Sequence, residues 1–458
     1  MSGAQTQVLG FAEALDLVLR HAAQVVRLPG SERVALLASA GRVLAEEVLA
    51  DRDQPPFDRA TRDGFAVRAE ELSAGRRLRT AGQVRAGEAW VGGELASGSA
   101  IEIMTGAPVP RGADAVAMLE HVEQAGGEVW AAPGRSLQAE ENIVRCGSEA
   151  RQGDLLLAAG TTIGAAEIAL AASCGRAEIA VRLRPSVAIV ATGDELVELD
   201  QTPQTHQIRN SNSYALAAMV QAAGGRAQRL VIARDTRQDV RERIVEGLRS
   251  DLLLLSGGVS AGKYDLVEDV LAEFGAEFFF TGVQMQPGKP VVFGRLRASE
   301  QGSEAARQRV GGTLKGTGFS PSASSEKSQG ALAPQGTASE WTYFFGLPGN
   351  PVSSAVTFLL FAAPILAALA GSREPAPRFA LAQMASSSID RGGKPGLTRF
   401  MPALCTFSSI AGQLPQVAFV PWQGSGDLTA LARSNCFLVV PEDAHSLKPG
   451  SIVRILLP

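Results

Sequence analysis

The stretch that most constrains this chain runs from Asp251 to Asp265, DLLLLSGGVSAGKYD. Four leucines, Leu252 to Leu255, form an apolar run too short to span a membrane, and they stop at Ser256-Gly257-Gly258. An unbroken apolar run of this length predicts a parallel-sheet strand buried on both faces, leading into a loop that glycine backbones permit. In open α/β sheets, ligands bind beyond the carboxyl ends of the strands, where loop amides and the next helix N-terminus meet an anion. Ser260 and Asp265 would supply a hydroxyl and a carboxylate there. Taken alone, a Gly-Gly pair after a strand is only a tight turn.

Three further strand ends carry similar punctuation. Ser186 to Thr192 breaks at Gly193-Asp194-Glu195, Arg229 to Ala233 at Arg234-Asp235, and Tyr343 to Phe345 at Gly346-Leu347-Pro348-Gly349-Asn350-Pro351. Helical patterns over Ser213 to Ala223, Arg237 to Arg249 and Tyr264 to Phe274 alternate with them. This alternation predicts a doubly wound parallel sheet whose loops bring Glu195, Asp235, Asp265 and the Gly-rich turns into one cleft. Asp194 is read as a cap for a following helix, and Asn350 as the cap of a helix from Pro351 to Leu369.

A chain of 458 residues exceeds one core and implies about three or four domains. With 45% apolar residues and a formal charge of -4, neither nucleic acid nor an anionic membrane surface is suggested as a partner. No apolar run approaches the roughly 20 residues of a spanning helix, and MSGAQTQVLG has no signal-peptide pattern, so a cytoplasmic protein is expected. The four cysteines and four histidines are scattered, without metal-ligand spacing. Any metal would therefore take oxygen ligands, which favours magnesium.

Apolar residues from Phe11 to Val26 recur at helical spacing, a second helix is expected over Gly41 to Ala50, and Ala165 to Ser173 would complete the same helical layer. That makes residues 8–50 and 148–183 a discontinuous helical linking domain around an inserted, mainly β domain, 51–147. Within the insertion, QPPFDRATRDGFAV places Asp58, Arg59, Arg62 and Asp63 around one turn, more charge than a hairpin needs, and Thr105-Gly106 leaves a second strand. Residues 184–372 form the α/β domain. Ala298 to Glu340, rich in Ser, Gly, Ala and Gln, reads as a disordered hairpin insertion. Short strands from Arg378 onward predict a small C-terminal β-barrel or sandwich, taken as a β-barrel domain over 373–458.

Eight motifs in order, PPFDRATRDGFAV, IEIMTGAPVPRGADAV, ENIVRCGSE, ATGDEL, SGGVSAGKYD, MQPGKP, FGLPGNPVS and GSGDL, make the chain resemble MoeA-type molybdopterin molybdotransferases, relatives of the gephyrin E-domain. The resemblance implies a homodimer of four-domain subunits, with the active cleft between the α/β domain of one subunit and the β domain of the other. It implies insertion of molybdate into adenylylated molybdopterin with release of AMP, dependent on magnesium, and a molybdopterin adenylyltransferase as a partner. A non-catalytic, gephyrin-like binding scaffold is the alternative.

A doubly charged oxyanion needs cations and hydrogen-bond donors arranged around it. The resemblance assigns that work to Lys289, Ser256, Ser260 and loop amides, with Arg399 and Ser425 closing the pocket from the C-terminal domain. Thr105, Gly257, Gly258, Pro290, Pro348, Gly349 and Asn350 complete the expected substrate wall. Glu195 and Asp235 are expected to hold the metal, with Asp265 nearby and Asp63 and Glu149 facing them from the inserted domain; Asp63 would position the attacking group. Five residues depart from the family pattern. Gln286 replaces the first lysine of the usual KPGKP, Glu149 replaces an aspartate, Arg62 and Phe65 replace the methionine and tyrosine of MDGYA, and Glu102 replaces a common arginine. Weaker molybdate affinity, or help from Lys263 or Arg62, is expected from the first.

Overall fold

The computed structural model describes residues 7–25, 30–258, 266–297, 341–385, 396–407, 412–443 and 446–458. The expectations for Ser260, Lys263, Asp265 and the 298–340 segment fall outside the described residues.

At the centre lies a six-stranded sheet in the order Arg226–Arg229, Ser186–Ala191, Leu252–Ser256, Trp341–Leu347, Val292–Arg297, Glu277–Phe280. The first four strands are parallel, and Val292–Arg297 runs antiparallel to its neighbours on both sides. The leucine run is unbroken because both faces are covered. Side chains alternate across a strand, so Leu252 and Leu254 enter one core together with Val187 and Ile189. Leu253 and Leu255 enter the other with Ala188 and Val190. From Ser186–Ala191 the chain goes to one side for Arg226–Arg229 and to the other for Leu252–Ser256, which puts the topological switch point at the ends of these strands.

Helices Asn212–Ala222, Arg237–Gly247 and Leu266–Glu273 fall within two residues of their expected limits wherever the chain is described. The second parallel strand is Arg226–Arg229 rather than Arg229 to Ala233. Leu230 and Ala233 still donate to Ile189 and Ala191, so the chain follows its neighbour beyond the regular ladder. Asp194 caps no helix; a short strand, Leu196–Val197, follows it.

The first helix is Phe11–Ala23, but it does not join Ala165–Ser173 in a layer. Its buried stripe, Ala14, Val18 and Ala22, packs into the α/β core beside Ile365 and Leu366. No helix forms over Gly41 to Ala50; a 3-10 turn, Leu36–Ser39, is followed by bridges at Val43 and Leu44 and the strand Val48–Leu49. Leu44 and Val48 are buried there by Ile179 and Val181, so extended backbone satisfies the apolar pattern. Val48–Leu49 pairs with Leu155–Leu157, and between them lies a six-stranded sheet built around Gly64–Val67 and Ser99–Ile103.

At the C-terminal end, Thr398–Thr406, Gln416–Phe419, Phe379–Met384, Ile452–Leu456 and Cys436–Val440 pair in sequence, and the last pairs back to the first. This closes a five-stranded barrel. Phe400, Val439 and Leu456 share the α/β core. Pro351–Leu369 is long and apolar enough to cross a membrane by length and composition, contrary to the expectation that no segment is. Its hydropathy is explained by burial, since 83% of the apolar window lies inside the protein.

Candidate active site

The loops leaving the switch point meet in a cleft of about 660 Å³ whose wall includes Thr192, Glu195, Asp235, Gly257, Gly258, Pro290, Pro348, Gly349 and Asn350. Its two acidic loops are locked together. Asp235 N donates to Asp194 Oδ1 at 3.2 Å, Asp194 N donates to Asp235 Oδ2 at 3.4 Å, and Arg234 Nη1 donates to the Asp194 carbonyl at 3.2 Å. Glu195 folds over Gly193, where a Cβ would meet Glu195 Oε2 at 2.4 Å, so a larger residue would displace the carboxylate. Gly257 takes φ +94°, and a Cβ there would lie 2.6 Å from the Thr192 carbonyl oxygen. Backbone and carboxylate thus approach as closely as glycine allows.

The described residues contain no group of three or more His, Cys, Asp or Glu placed to hold a metal. Two exposed carboxylates, Glu195 and Asp235, in one cleft fit magnesium, which takes one or two protein carboxylates and completes its shell with water and substrate phosphate.

Of the expected oxyanion residues, Lys289, Arg399 and Ser425 are not in the wall of this cleft, and Ser256 lines the adjoining cavity. Pro290 lines the cleft, whereas Lys289 beside it is exposed. Gln286 is exposed and stands opposite Arg399, which is 8% exposed, in the parallel pair of Gly282–Gln286 with Thr398–Thr406. Asn350 sits at the helix N-cap with Pro351 after it, yet its side chain makes no capping bond. Its Nδ2 donates instead to Ser425 Oγ at 2.9 Å, while Val352 N donates to the Ser425 carbonyl at 3.0 Å. The C-terminal loop is thereby pinned to the cleft's edge.

Asp63, Thr105 and Glu149 do not line the cleft. Asp63 pairs with Thr105 and Glu149 with Arg59, both within the 51–150 region. Thr105 donates to Asp63 Oδ1 from its backbone N at 2.6 Å and from Oγ1 at 2.8 Å. Those bonds, the backbone one first, hold the Asp63 carboxyl below the ordinary carboxylate range. Arg59 reaches Glu149 at 3.4 Å.

Sequence reasoning passed over Asn210 and Asn212. Asn212 Nδ2 donates to the Gly349 carbonyl at 2.6 Å and reaches Ser256 Oγ at 3.4 Å, tying two strand ends together. Their signal was an Asn-Ser-Asn run before an apolar helix, which reads as capping alone. Another cavity, of about 590 Å³, has apolar walls from Phe358, Leu359 and Pro364 with arginines at its edge and no acid. Of these two cavities, the acid-lined cleft is the one with carboxylates to hold a divalent cation beside a phosphate.

A mixed α/β sheet with an acid-lined crevice at its switch point, in a chain that also carries a β insertion and a closed barrel, defines a multidomain α/β protein. Family profiles match the MoeA N-terminal region (domain I and II) over residues 9–175, a probable molybdopterin binding domain over 188–368, and the MoeA C-terminal region (domain IV) over 386–457. The chain belongs to the MoeA family. It is 30% identical over 450 residues to molybdopterin molybdenumtransferase 1 of Mycobacterium tuberculosis, covering 93% of this chain and 94% of that one. The Synechocystis molybdopterin molybdenumtransferase is 29% identical over 448 residues, covering 97% and 98%. Among solved structures, a molybdopterin biosynthesis MoeA protein from Pyrococcus horikoshii superimposes with a TM-score of 0.63 at 28% identity, covering 98% and 99%.

Proposed function

We propose that this protein is a molybdopterin molybdenumtransferase that inserts molybdate into adenylylated molybdopterin and releases AMP. The observation that carries the reading is the convergence of Glu195, Asp235 and the Gly257-Gly258 turn in one crevice of a chain related along its length to transferases of that name. No observation favours the scaffold alternative. Magnesium, held by Glu195 and Asp235, would offset the charge of the adenylate phosphate. The chain's own groups do the rest. The glycine turn lets backbone approach the phosphate, and the Asp194–Asp235 clasp keeps the two acidic tips at fixed spacing before substrate arrives. Ser256, Lys289, Arg399 and Ser425 surround the molybdate with donors and positive charge. On this reading, Ser260 and Asp265 belong to the same wall.

Asp63, Thr105 and Glu149 act on the cleft of a second subunit, so the working unit is a homodimer in which Asp63 positions the attacking group. The chain divides into 51–147, 184–372 and 373–458, with 31–50 and 148–183 as the linking region and the first helix joined to the α/β core. The protein works in the cytoplasm and takes its substrate from an adenylyltransferase.

Single-turnover release of AMP with and without molybdate tests the assignment. Asp235→Asn, which keeps an oxygen for Asp194 N, should slow release about 100-fold or more, and Asp235→Ala at least as much. Release at the wild-type rate in both variants overturns the role of Asp235.

A further inference from the structure

The charge crowded around the turn before Asp63 includes one residue that bridges two loops. Asp58 directly precedes the short strand Arg59–Ala60, which lies between the Thr105 loop and the segment leading to Glu149. On one side the Asp58 carbonyl accepts from Val109 N at 2.8 Å, and Ala60 N donates to the Ala107 carbonyl at 3.0 Å. On the other side Arg59–Ala60 pairs antiparallel with Ile143–Val144, and the Asp58 side chain extends that contact past the end of the ladder. Its Oδ1 accepts from Cys146 N at 2.8 Å and its Oδ2 from Arg145 Nη1. Asp58 is thus bonded through its main chain to the loop that grips Asp63, and through its side chain to the turn that leads into Glu149.

We propose that Asp58 is a positioning residue, which sets where Glu149 stands relative to Asp63 so that both acids reach the same bound substrate. The inference rests on the functional reading above and deepens it by naming the residue that holds the two acids in register.

The grip is directional, because a carboxylate that accepts one backbone N–H and one guanidinium N–H fixes the turn at two points. Arg145 Nη2 also donates to Glu140 Oε1 at 3.1 Å, which limits how the guanidinium can rotate. Beyond Cys146 the chain turns back at Gly147, φ +71°, whose N donates to the Pro55 carbonyl at 2.9 Å. Glu149 N then donates to the Gln54 carbonyl at 2.9 Å, and Arg59 Nη2 reaches its Oε1 at 3.4 Å. Side chains as open as Asp58, 32% exposed, and Arg145, 42% exposed, make an ion pair that contributes little to stability. Its loss should therefore disturb geometry more than folding, and a misplacement of about 1 Å can slow a reaction on the order of 100-fold.

A double-mutant cycle on the full chain tests this. The maximal single-turnover rate of AMP release, the half-saturating substrate concentration and the thermal midpoint are measured for each protein. Asp58→Ala should slow maximal release about 100-fold, with half-saturation and midpoint near those of wild type. Asp58→Asn keeps an oxygen for Cys146 N but loses the charge that holds Arg145, and should fall in between. In a Glu149→Ala background, Asp58→Ala should have little further effect, because the group it positions is gone. A brace with no part in the reaction would slow release by the same factor in both backgrounds. Equal factors, or release at the wild-type rate by Asp58→Ala, overturn the proposal alone. If Asp58→Ala does not fold, the same cycle with Asp58→Asn decides by the same criteria. Release at the wild-type rate by Glu149→Ala, or none by the wild-type protein, overturns the functional reading and the proposal together.

Discussion

At the scale of single residues, the clearest electrostatic device is the pair Asp63 and Thr105. Two hydrogen bonds to one carboxylate oxygen favour the charged form, which is why the Asp63 carboxyl is depressed. A depressed group makes its contribution above the ordinary carboxylate pKa and loses it only as pH falls through the lower, folded value. Thr105→Val keeps the backbone donor and removes the hydroxyl, so it should move the Asp63 titration part of the way back up. Carbon-detected NMR of the Asp63 carboxyl reads this directly, and the acid limb of the pH–rate profile should rise with it. Gln286 offers a second test. It stands exposed opposite Arg399, so Gln286→Lys adds positive charge beside an existing cation. Molybdate should bind several-fold more tightly to the variant, with a steeper dependence on salt; unchanged affinity in a binding titration would show that Gln286 lies outside the oxyanion's field.

Among the elements, the helix Pro351–Leu369 shows how sequence and packing negotiate. It begins as an α-helix, Pro351–Thr357, widens into a π turn over Phe358–Ala362, and resumes as Ala363–Leu369. Pro364 has no N–H to give to the preceding turn, and a widened turn just before it is one way a helix absorbs such a residue. The helix stays in register because nearly every side chain is buried; Phe361, at 0% exposed, packs between Phe280 and Phe11 at ring distances of 5.8 and 6.5 Å. Phe361→Ala should destabilise the protein by about 3–5 kcal/mol, seen as a lowered denaturant midpoint. The same reasoning explains why the Leu252–Ser256 strand was legible from sequence, since a strand covered on both sides must be apolar at every position. Gly41 to Ala50 was misread for the complementary reason. Its buried residues, Val43, Leu44 and Val48, satisfy a helical or an extended spacing equally, and only pairing with Leu155–Leu157 and Val181 decides between them.

For the whole molecule, one core runs from the first helix through the α/β sheet into the barrel, with Val18, Leu254 and Phe400 in a single cluster. The Asp63 group, by contrast, belongs to a sheet whose cores are separate from it. If each active site joins the cleft of one subunit to the Asp63 group of its partner, two inactive variants can complement each other. Mixing Asp63→Ala with Asp235→Ala and allowing subunits to exchange should restore about one quarter of wild-type activity, because half of the dimers then carry one intact site of two. Sedimentation equilibrium on the same mixture checks that dimers form; activity staying at the level of the separate variants would place both residues in one chain's site.

What the amino-acid sequence determined alone was the alternation of buried strands and helices, and the glycine and acid punctuation at strand ends. Both of these are local, because periodicity and turn chemistry are properties of neighbouring residues. Tertiary structure alone decided where the first helix buries its stripe, that Asn350 reaches Ser425 instead of capping its own helix, and that Asn212 ties the Gly349 turn to the end of the leucine strand. Those outcomes depend on which distant segments compete for the same apolar surface or the same hydrogen bond, and no window of sequence contains both competitors.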